Sequence, residues 1–332
     1  MSFKTALIGF GAVAAGFASD PRNAKHYECA THAQALKSHR AFNWEAVVDL
    51  SAEARETARR DWGIKHVYGS IGEMTRHYQP EIAVIATPPG HRMEMVDALP
   101  ELKALMVEKP LGISLSEGRR FAELCERRGI LAQVNLWRRA DEFCRGLASG
   151  KLEELVGKPQ AVFVLYGNGL LNNGAHLLDF VRMLFGEVQE VESASLVPIL
   201  ALVIPGDVHC RFTLVMQSGL AVHFQPLDFA HYRENAVEIW GTKGRLSIVQ
   251  EGLLNLCCKL APHRALSGER EIALDSGVLS IPPTAGYAFH RIYDNLAGAL
   301  GGGAPLWSPV SNALATEEVL HEVLKKSRAV KD

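Results

Sequence analysis

Over the first 135 residues, short apolar runs alternate with charged, helix-periodic segments. Phe3–Ile8 predicts a strand, and Gly9-Phe10-Gly11-Ala12-Val13-Ala14 predicts a glycine turn that opens a helix. Trp44–Val48 predicts a second strand that ends at Asp49, with a helix over Ala52–Trp62. Glu81–Ala86 reads as a buried strand closed by Thr87-Pro88-Pro89-Gly90, and His91–Leu99 as a helix that stops at Pro100. Ala104–Val107 is again a strand, ending at Glu108-Lys109-Pro110. Ser116 caps a helix that runs to Arg128, and Ile130–Asn135 is the last strand of the series. Strands separated by helices predict βαβ units and a parallel sheet.

After about residue 155 the period changes. Lys158–Tyr166, Val188–Val197, Val208–Met216, Leu220–Gln225, Ala236–Trp240 and Arg245–Val249 are alternating or β-branched. Gln217-Ser218-Gly219 and Gly241-Thr242-Lys243-Gly244 are hairpin turns between them. Runs of strands without helices predict an antiparallel sheet. Helices are expected over Gly174–Leu184, Tyr287–Leu300 and Asn312–Arg328, the last two separated by a Gly301-Gly302-Gly303 joint. The fold class is therefore α/β followed by α+β, with helices on one face of the second sheet. Ser19–Asn43 is long for a link between two strands; it reads as an insertion of loop plus a helix over Thr31–Ser38.

Length and charge narrow the function. A chain of 332 residues suggests about two domains. With 35 basic and 37 acidic residues the net charge is −2, which argues against a dedicated nucleic-acid or membrane-surface binder. Six cysteines lack a C-x-x-C or a histidine at zinc spacing, so they are expected to be buried, reduced side chains with no metal. The most apolar stretch, Leu196–Ile204, is too short to span a membrane and contains Pro198. Lys4 and the apolar run Ala6–Ala18 have the outline of a secretory signal. Gly9, Gly11 and Gly16 weaken a helix there, so a strand and turn in a cytoplasmic protein is the expectation.

Three strand ends carry candidate chemistry. Gly9-x-Gly11-x-x-Ala14, between a strand and a helix, has the context of a dinucleotide fingerprint. Phe10, Ala12 and Val13 lie inside it, and the backbone of the turn is placed to approach a pyrophosphate. Asp49 closes the second strand, where a carboxylate accepts both ribose hydroxyls of NAD and repels the phosphate of NADP. A turn or helix-start aspartate is the alternative. Thr87, Pro88 and His91 end one strand and Glu108 and Lys109 the next, on the edge where open α/β sheets bind ligands. For Lys109 a structural ion pair with Glu108 is the alternative.

In order and spacing, these pieces resemble the glucose–fructose oxidoreductase/inositol dehydrogenase family over the whole chain. The resemblance includes Thr87-Pro88-Pro89-x-His91, Glu108-Lys109-Pro110-Leu111-Gly112 and Arg138-Arg139. It continues through Asn172-x-Gly174-x-His176-x-x-Asp179 and Gly241-Thr242-Lys243-Gly244. It implies a Rossmann domain over 1–136 and a substrate and oligomerisation domain over 137–310 with an open, mostly antiparallel sheet. A helix over 311–332 would return to the first domain. It further implies an NAD(P)-dependent oxidoreductase acting on a sugar or polyol, with Lys109 and His176 at the substrate hydroxyl. The family's aspartate four residues before the histidine is Asn172 here.

A histidine suits removal of a hydroxyl proton as hydride leaves the same carbon, and a lysine ammonium suits the developing alkoxide. Asn172 orients without charge. Asp179, one helical turn beyond His176, either compensates for that loss or pins its helix. Arg138 and Arg139 either meet a phosphate or substrate, or form a surface pair. A catalytically silent binding protein, motivated by Asn172, and an NAD-dependent glycosidase are the alternatives. An open sheet face needs cover, so a homodimer or homotetramer through the C-terminal sheet is expected.

Overall fold

The computed structural model describes residues 2–198, 202, 204, 206–273 and 277–329, so part of the apolar stretch Leu196–Ile204 lies outside the described residues. Two compact units form: Met1–Asp141 with Gly286–Ala315, and Glu142–Ala285 with Thr316–Asp332. This division differs from the boundaries expected at 136 and 310, because the helix Ala288–Leu300 belongs to the first unit. The reason is local. The Gln133 side-chain amide donates to Ile292 O and to Asn295 Oδ1, both at 2.9 Å, and Ile292, Tyr293 and Leu296 are buried in that unit's core.

In the first unit, β1 (Phe3–Ile8), β2 (Phe42–Val48), β3 (His66–Tyr68), β4 (Ile82–Ile85), β5 (Ala104–Val107) and β6 (Leu131–Val134) make one sheet. Its order is β3-β2-β1-β4-β5-β6 and every pair is parallel. That order reverses between β1 and β4, and the strand ends there form the ligand-binding crevice of doubly wound sheets. Every residue of β4 and β5 is buried, which explains why they read as unbroken apolar runs.

The helix expected to follow the glycine turn is interrupted. Ala15 N–H bonds Gly11 O at 3.0 Å and Phe17 N–H bonds Ala12 O at 3.0 Å, after which the chain leaves the helical path. It returns at α1 (His32–Ser38), capped by Thr31, whose side chain accepts from Gln34 N–H. His32 N–H then reaches Val13 O at 3.3 Å and Ala33 N–H reaches Ala14 O at 2.8 Å. A continuous helix would offer those two carbonyls to Phe17 and Ala18. The inserted residues therefore split one helix into a single turn and α1, with the ladder resumed across the break.

The other helices of this unit are α2 (Ala52–Trp62), α3 (Ile71–Thr75), α4 (Arg92–Asp97), α5 (Leu115–Arg127) and, later in the chain, α9 (Ala288–Leu300). The second unit contains α6 (Glu142–Gly146), α7 (Leu152–Val156) and α8 (Ala175–Phe185). The last helix, α10 (Val310–Ala329), gives Val310 and Ala313 to the first core and Leu320 and Val323 to the second.

The second unit's sheet runs β14-β13-β12-β11-β7-β10-β9-β8, with β15 on β13. The strands are β7 (Pro159–Tyr166), β8 (Val188–Val197), β9 (His209–Met216), β10 (Ala221–Pro226) and β11 (Ala236–Gly241). They continue with β12 (Gly244–Val249), β13 (Leu254–Pro262), β14 (Arg270–Ile272) and β15 (Val278–Ile281). All pairs are antiparallel except β7–β10. Along β7, Val162, Val164 and Tyr166 face the core while Phe163 is 46% exposed. The last three strands were not anticipated: β14 and β15 are short and solvated, and they show no alternation that a single sequence can reveal. The glycine joint Gly301–Gly303 is hydrogen bonded back onto α9.

All six cysteines are buried and none is in a disulfide, and burial raises the Cys29 and Cys125 thiols to about 12. The native protein should therefore react with a thiol reagent at neutral pH far more slowly than the unfolded chain. Rapid native labelling of Cys29 or Cys125 would contradict this packing.

Candidate functional site

In the first unit, the turn after β1 is shaped by its neighbours. Gly9 has φ +86°, and a Cβ there would lie 2.8 Å from Thr87 Cγ2, so only glycine fits. A Cβ on Gly11 would meet nothing within 4 Å. Gly11 and Ala12 are exposed, and Gly11 borders a cleft of about 600 Å³ lined also by Phe10, Gly16, Ser51 and Trp62. A turn with no side chain on the cleft side is the cradle a pyrophosphate needs. Val13 turns its carbonyl to α1 instead.

Asp49 stands beside this turn. Its Oδ2 accepts from Phe10 N–H at 2.6 Å and its Oδ1 from Ser51 N–H at 2.7 Å. Each oxygen keeps a second lone pair, which suits two ribose hydroxyls. Ser51, not Asp49, caps α2, so the helix-start alternative does not describe this geometry, whereas the bond from Ser51 N–H two residues on is the turn role that the other alternative gives Asp49. Arg55, missed in the sequence, donates to the carbonyls of Asp49 at 2.7 Å and Leu50 at 2.9 Å and clamps the loop.

The next two strand ends are tied together by another residue the sequence did not flag. Arg92, buried at the start of α4, donates to Thr87 O at 3.0 Å and to Pro110 O. Thr87 and Pro88 are thereby fixed against the Glu108-Lys109-Pro110 turn. His91 is an exposed left-handed residue paired with Glu94 at 2.8 Å. Glu108 is only 13% exposed, and its Oε1 is bonded by Asn135 Nδ2 at 2.6 Å and by His32 Nε2 at 3.0 Å. Burial works against the carboxylate. The hydrogen bond and charge of His32, the Asn135 bond and the charge of Lys109 outweigh it and hold its pKa below the glutamate range. Lys109 is half-buried, and Asn135 Oδ1 is buried without a partner among the described residues, an acceptor a carboxamide would satisfy. Arg138 is buried with its guanidinium 4.3 Å from the Trp137 ring, which removes the surface-pair reading for that residue; Arg139 is half-buried.

In the second unit, Leu170–Gly174 is a π-turn running directly into α8, a distortion common at functional positions. Asn172 lies on that turn and His176 in the first turn of α8, both half-buried. The start of this helix is held by Asp207, which the sequence did not reveal. Its carboxylate accepts from Leu171 N–H at 3.0 Å, Asn172 N–H at 3.2 Å and Val208 N–H at 2.8 Å. Gly169 has φ +94°, and any Cβ there would strike Asp207. Burial raises the Asp207 pKa, and the three N–H donors offset that only in part. Asp179 makes contacts that suit a pinning role, to the last helix rather than to the sheet. It is fully buried, accepts from Thr316 Oγ1 at 3.3 Å and lies 3.9 Å from Arg182, which also grips Glu187. Among the described residues no group of acidic, histidine or cysteine side chains has the arrangement of a metal site, and no helix is long and apolar enough to cross a membrane.

Residues 3–136 match the GFO/IDH/MocA oxidoreductase family's NAD-binding Rossmann fold, and residues 156–247 match the GFO/IDH/MocA C-terminal domain. The chain is 30% identical over 240 residues to trans-1,2-dihydrobenzene-1,2-diol dehydrogenase of Macaca fuscata fuscata, covering 64% of this chain and 66% of that one. That is just under two thirds of the relative's length. It is 26% identical over 211 residues to D-apiose dehydrogenase of Paraburkholderia graminis, covering 58% and 52%. A solved oxidoreductase from Agrobacterium radiobacter, in complex with NAD+, L-tartaric acid and magnesium, shares the fold. Its TM-score is 0.76 at 18% identity, over 99% of this chain and 97% of that one.

Three outcomes follow from the first unit. Gly9→Ala should lose about 1–3 kcal/mol of stability in denaturant unfolding, because it strains a positive-φ site against Thr87. Gly11→Ala should unfold like the parent yet bind a dinucleotide at least tenfold more weakly in calorimetry; equal affinity would detach Gly11 from the cleft's function. Glu108 has a folded pKa below its ordinary value of 4.5, so the stability it contributes is present above that pH and is lost as pH falls through the folded value. The unfolding free energies of the parent and of Glu108→Gln should therefore converge on acidification, and a gap that widens would contradict the carboxylate's assignment.

Proposed function

We propose that this chain, which belongs to the GFO/IDH/MocA family of NAD-binding oxidoreductases, moves hydride between NAD and a carbinol carbon of a sugar, polyol or vicinal diol. The observation that carries the reading is the meeting of Gly11, Asp49 and the Glu108-Lys109 turn along the carboxyl edge of one parallel sheet. The names of the relatives, a dihydrodiol dehydrogenase and an apiose dehydrogenase, favour substrates with adjacent hydroxyls.

When bound, NAD supplies the hydride acceptor. The open backbone at Gly11 and Ala12 holds its pyrophosphate, Asp49 takes the adenosine ribose hydroxyls, and the Asn135 amide oxygen takes a carboxamide N–H. NAD is bound in preference to NADP because Asp49 would face the extra phosphate with like charge, and Arg55 is already committed to two carbonyls. His176 accepts the hydroxyl proton as the carbon gives up hydride, and the Lys109 ammonium holds the oxygen while its charge develops. Asn172 orients the histidine's surroundings by hydrogen bonding alone. A homodimer or homotetramer covers the C-terminal sheet, whose open face carries Phe163 with His223 and Trp240 rings at 5.0 and 5.5 Å.

Titration with both cofactors tests the first part: NAD should bind more tightly, and Asp49→Ala should narrow the difference, whereas tighter NADP binding removes Asp49 from the role. In a screen of sugars and vicinal diols followed by NADH absorbance, Lys109→Ala and His176→Ala should each lower turnover by about 100-fold or more, with cofactor affinity within about threefold. An active His176→Ala enzyme would exclude that histidine as the base. A monomer in light scattering would exclude the assembly.

A further inference from the structure

Asn135 has half of its side-chain hydrogen bonding accounted for. Its backbone N–H bonds Val107 O at 2.9 Å, which seats it beside the end of β5. Its Nδ2 donates to Glu108 Oε1 at 2.6 Å, while its Oδ1 is buried with no hydrogen-bond partner among the described residues. The residue is 4% exposed, so an amide oxygen left in this way costs stability until a donor meets it. Turning the amide over gives no relief: the oxygen would face a carboxylate and the NH2 would be stranded in its place. The orphaned acceptor is therefore a consequence of what Glu108 is able to accept.

That capacity is set from α1 and α9. His32 is fully buried; its Nδ1 lies 2.6 Å from Tyr293 Oη and its Nε2 lies 3.0 Å from Glu108 Oε1. Tyr293 is fully buried as well, and its hydroxyl has no second hydrogen-bond partner among the described residues. A buried phenol keeps its proton and here donates it to Nδ1, so Nε2 carries the proton of the ring and donates to Glu108. Glu108 Oε1 thus receives one donor from His32 and one from Asn135, and acts toward both as an acceptor. Phe289 packs edge-on against the imidazole at 4.9 Å and keeps it from turning. We propose that His32 and Tyr293 are positioning residues for Asn135. Acting through Glu108, they hold its amide with Oδ1 turned away from the carboxylate, as an acceptor for the carboxamide N–H of a bound nicotinamide dinucleotide. The identity of that donor rests on the oxidoreductase reading; the orientation of the amide does not. A cofactor whose carboxamide NH2 is replaced by methyl leaves Oδ1 orphaned, so the same relay makes the site discriminate between the two.

The test has one arm without cofactor and one with it. In the full-length protein labelled with 15N-asparagine, the Asn135 side-chain NMR signals are assigned by their absence in Asn135→Ser. An N–H held by a carboxylate at 2.6 Å should resonate downfield of the other asparagine amides and exchange slowly with solvent. His32→Leu frees the carboxylate to move and should remove most of that downfield shift. Tyr293→Phe should reduce it, and His32→Gln, which keeps a donor toward Oε1, should retain it. If His32→Leu does not fold, Tyr293→Phe and His32→Gln carry the measurement. An unshifted parent signal overturns the proposal, as does a shift that Tyr293→Phe and His32→Leu leave unchanged. In calorimetry the parent should bind NAD about tenfold more tightly than its 3-acetylpyridine analogue, which has methyl in place of the amide NH2. Tyr293→Phe and His32→Leu should bring that ratio toward one by weakening NAD alone. Equal affinities in the parent, with the amide signal as expected, overturn the role of Oδ1 as the cofactor's acceptor. Failure of both dinucleotides to bind overturns the oxidoreductase reading instead, and the amide signal then still decides whether His32 and Tyr293 orient Asn135.

Discussion

A carboxylate taken out of water must be given donors, and that requirement at Glu108 organises the first unit. The strand β5 ends in a glutamate that is 13% exposed, and its neighbours are drawn from distant parts of the chain. His32 arrives from α1, Asn135 from the end of β6, and Tyr293 from α9 by way of the imidazole. The late helix α9 is bound to the same sheet by the Gln133 amide, so one set of buried polar bonds ties residues near 32, 108, 133 and 293 into a single unit. Polar groups of this kind add little net stability, but they permit few alternative arrangements, because each misplacement strands a buried donor or acceptor.

Asp207 meets a comparable requirement in the second unit. The π-turn and α8 begin with three backbone N–H groups close together, and a carboxylate accepts two of them and one more from its own strand entry. A negative group at a helix start is favoured by the helix dipole as well as by the bonds themselves. Asp179, in contrast, is spent on Arg182 and Thr316, inside the same unit. The turn that carries Asn172 is thus held by Asp207, an acid outside the motif that drew attention to the histidine.

The parallel sheet was legible because β4 and β5 are buried along their whole length and must be apolar throughout, and the hairpins at Gly219 and Gly241–Gly244 because turn chemistry is local. Gly9, Asp49 and the Glu108-Lys109 turn were legible for the same reason: each marks the end of a strand that the pattern already located. The helix after Gly11 was not read correctly, since a good helix opening cannot announce that the chain will leave after one turn and resume at His32. The short, solvated strands β14 and β15 were hidden by their irregular composition, and β13, although Asn255, Cys257 and Cys258 are buried in it, has no regular alternation of apolar residues.

By itself, then, the sequence determined the fold class, most of the strands and the residues that end those of the candidate site, because these follow from periodicity, turn chemistry and burial of short segments. Only the tertiary structure decided that His32 and Tyr293 stand behind Glu108, that Arg92 joins two strand ends, that Asp207 caps the turn carrying Asn172, and that Asp179 is pinned. Each of these is a contact between polar groups far apart in the chain. A polar side chain has the same local signature whether it faces water or a buried partner, so its partner emerges only when the packed elements have removed the water around it.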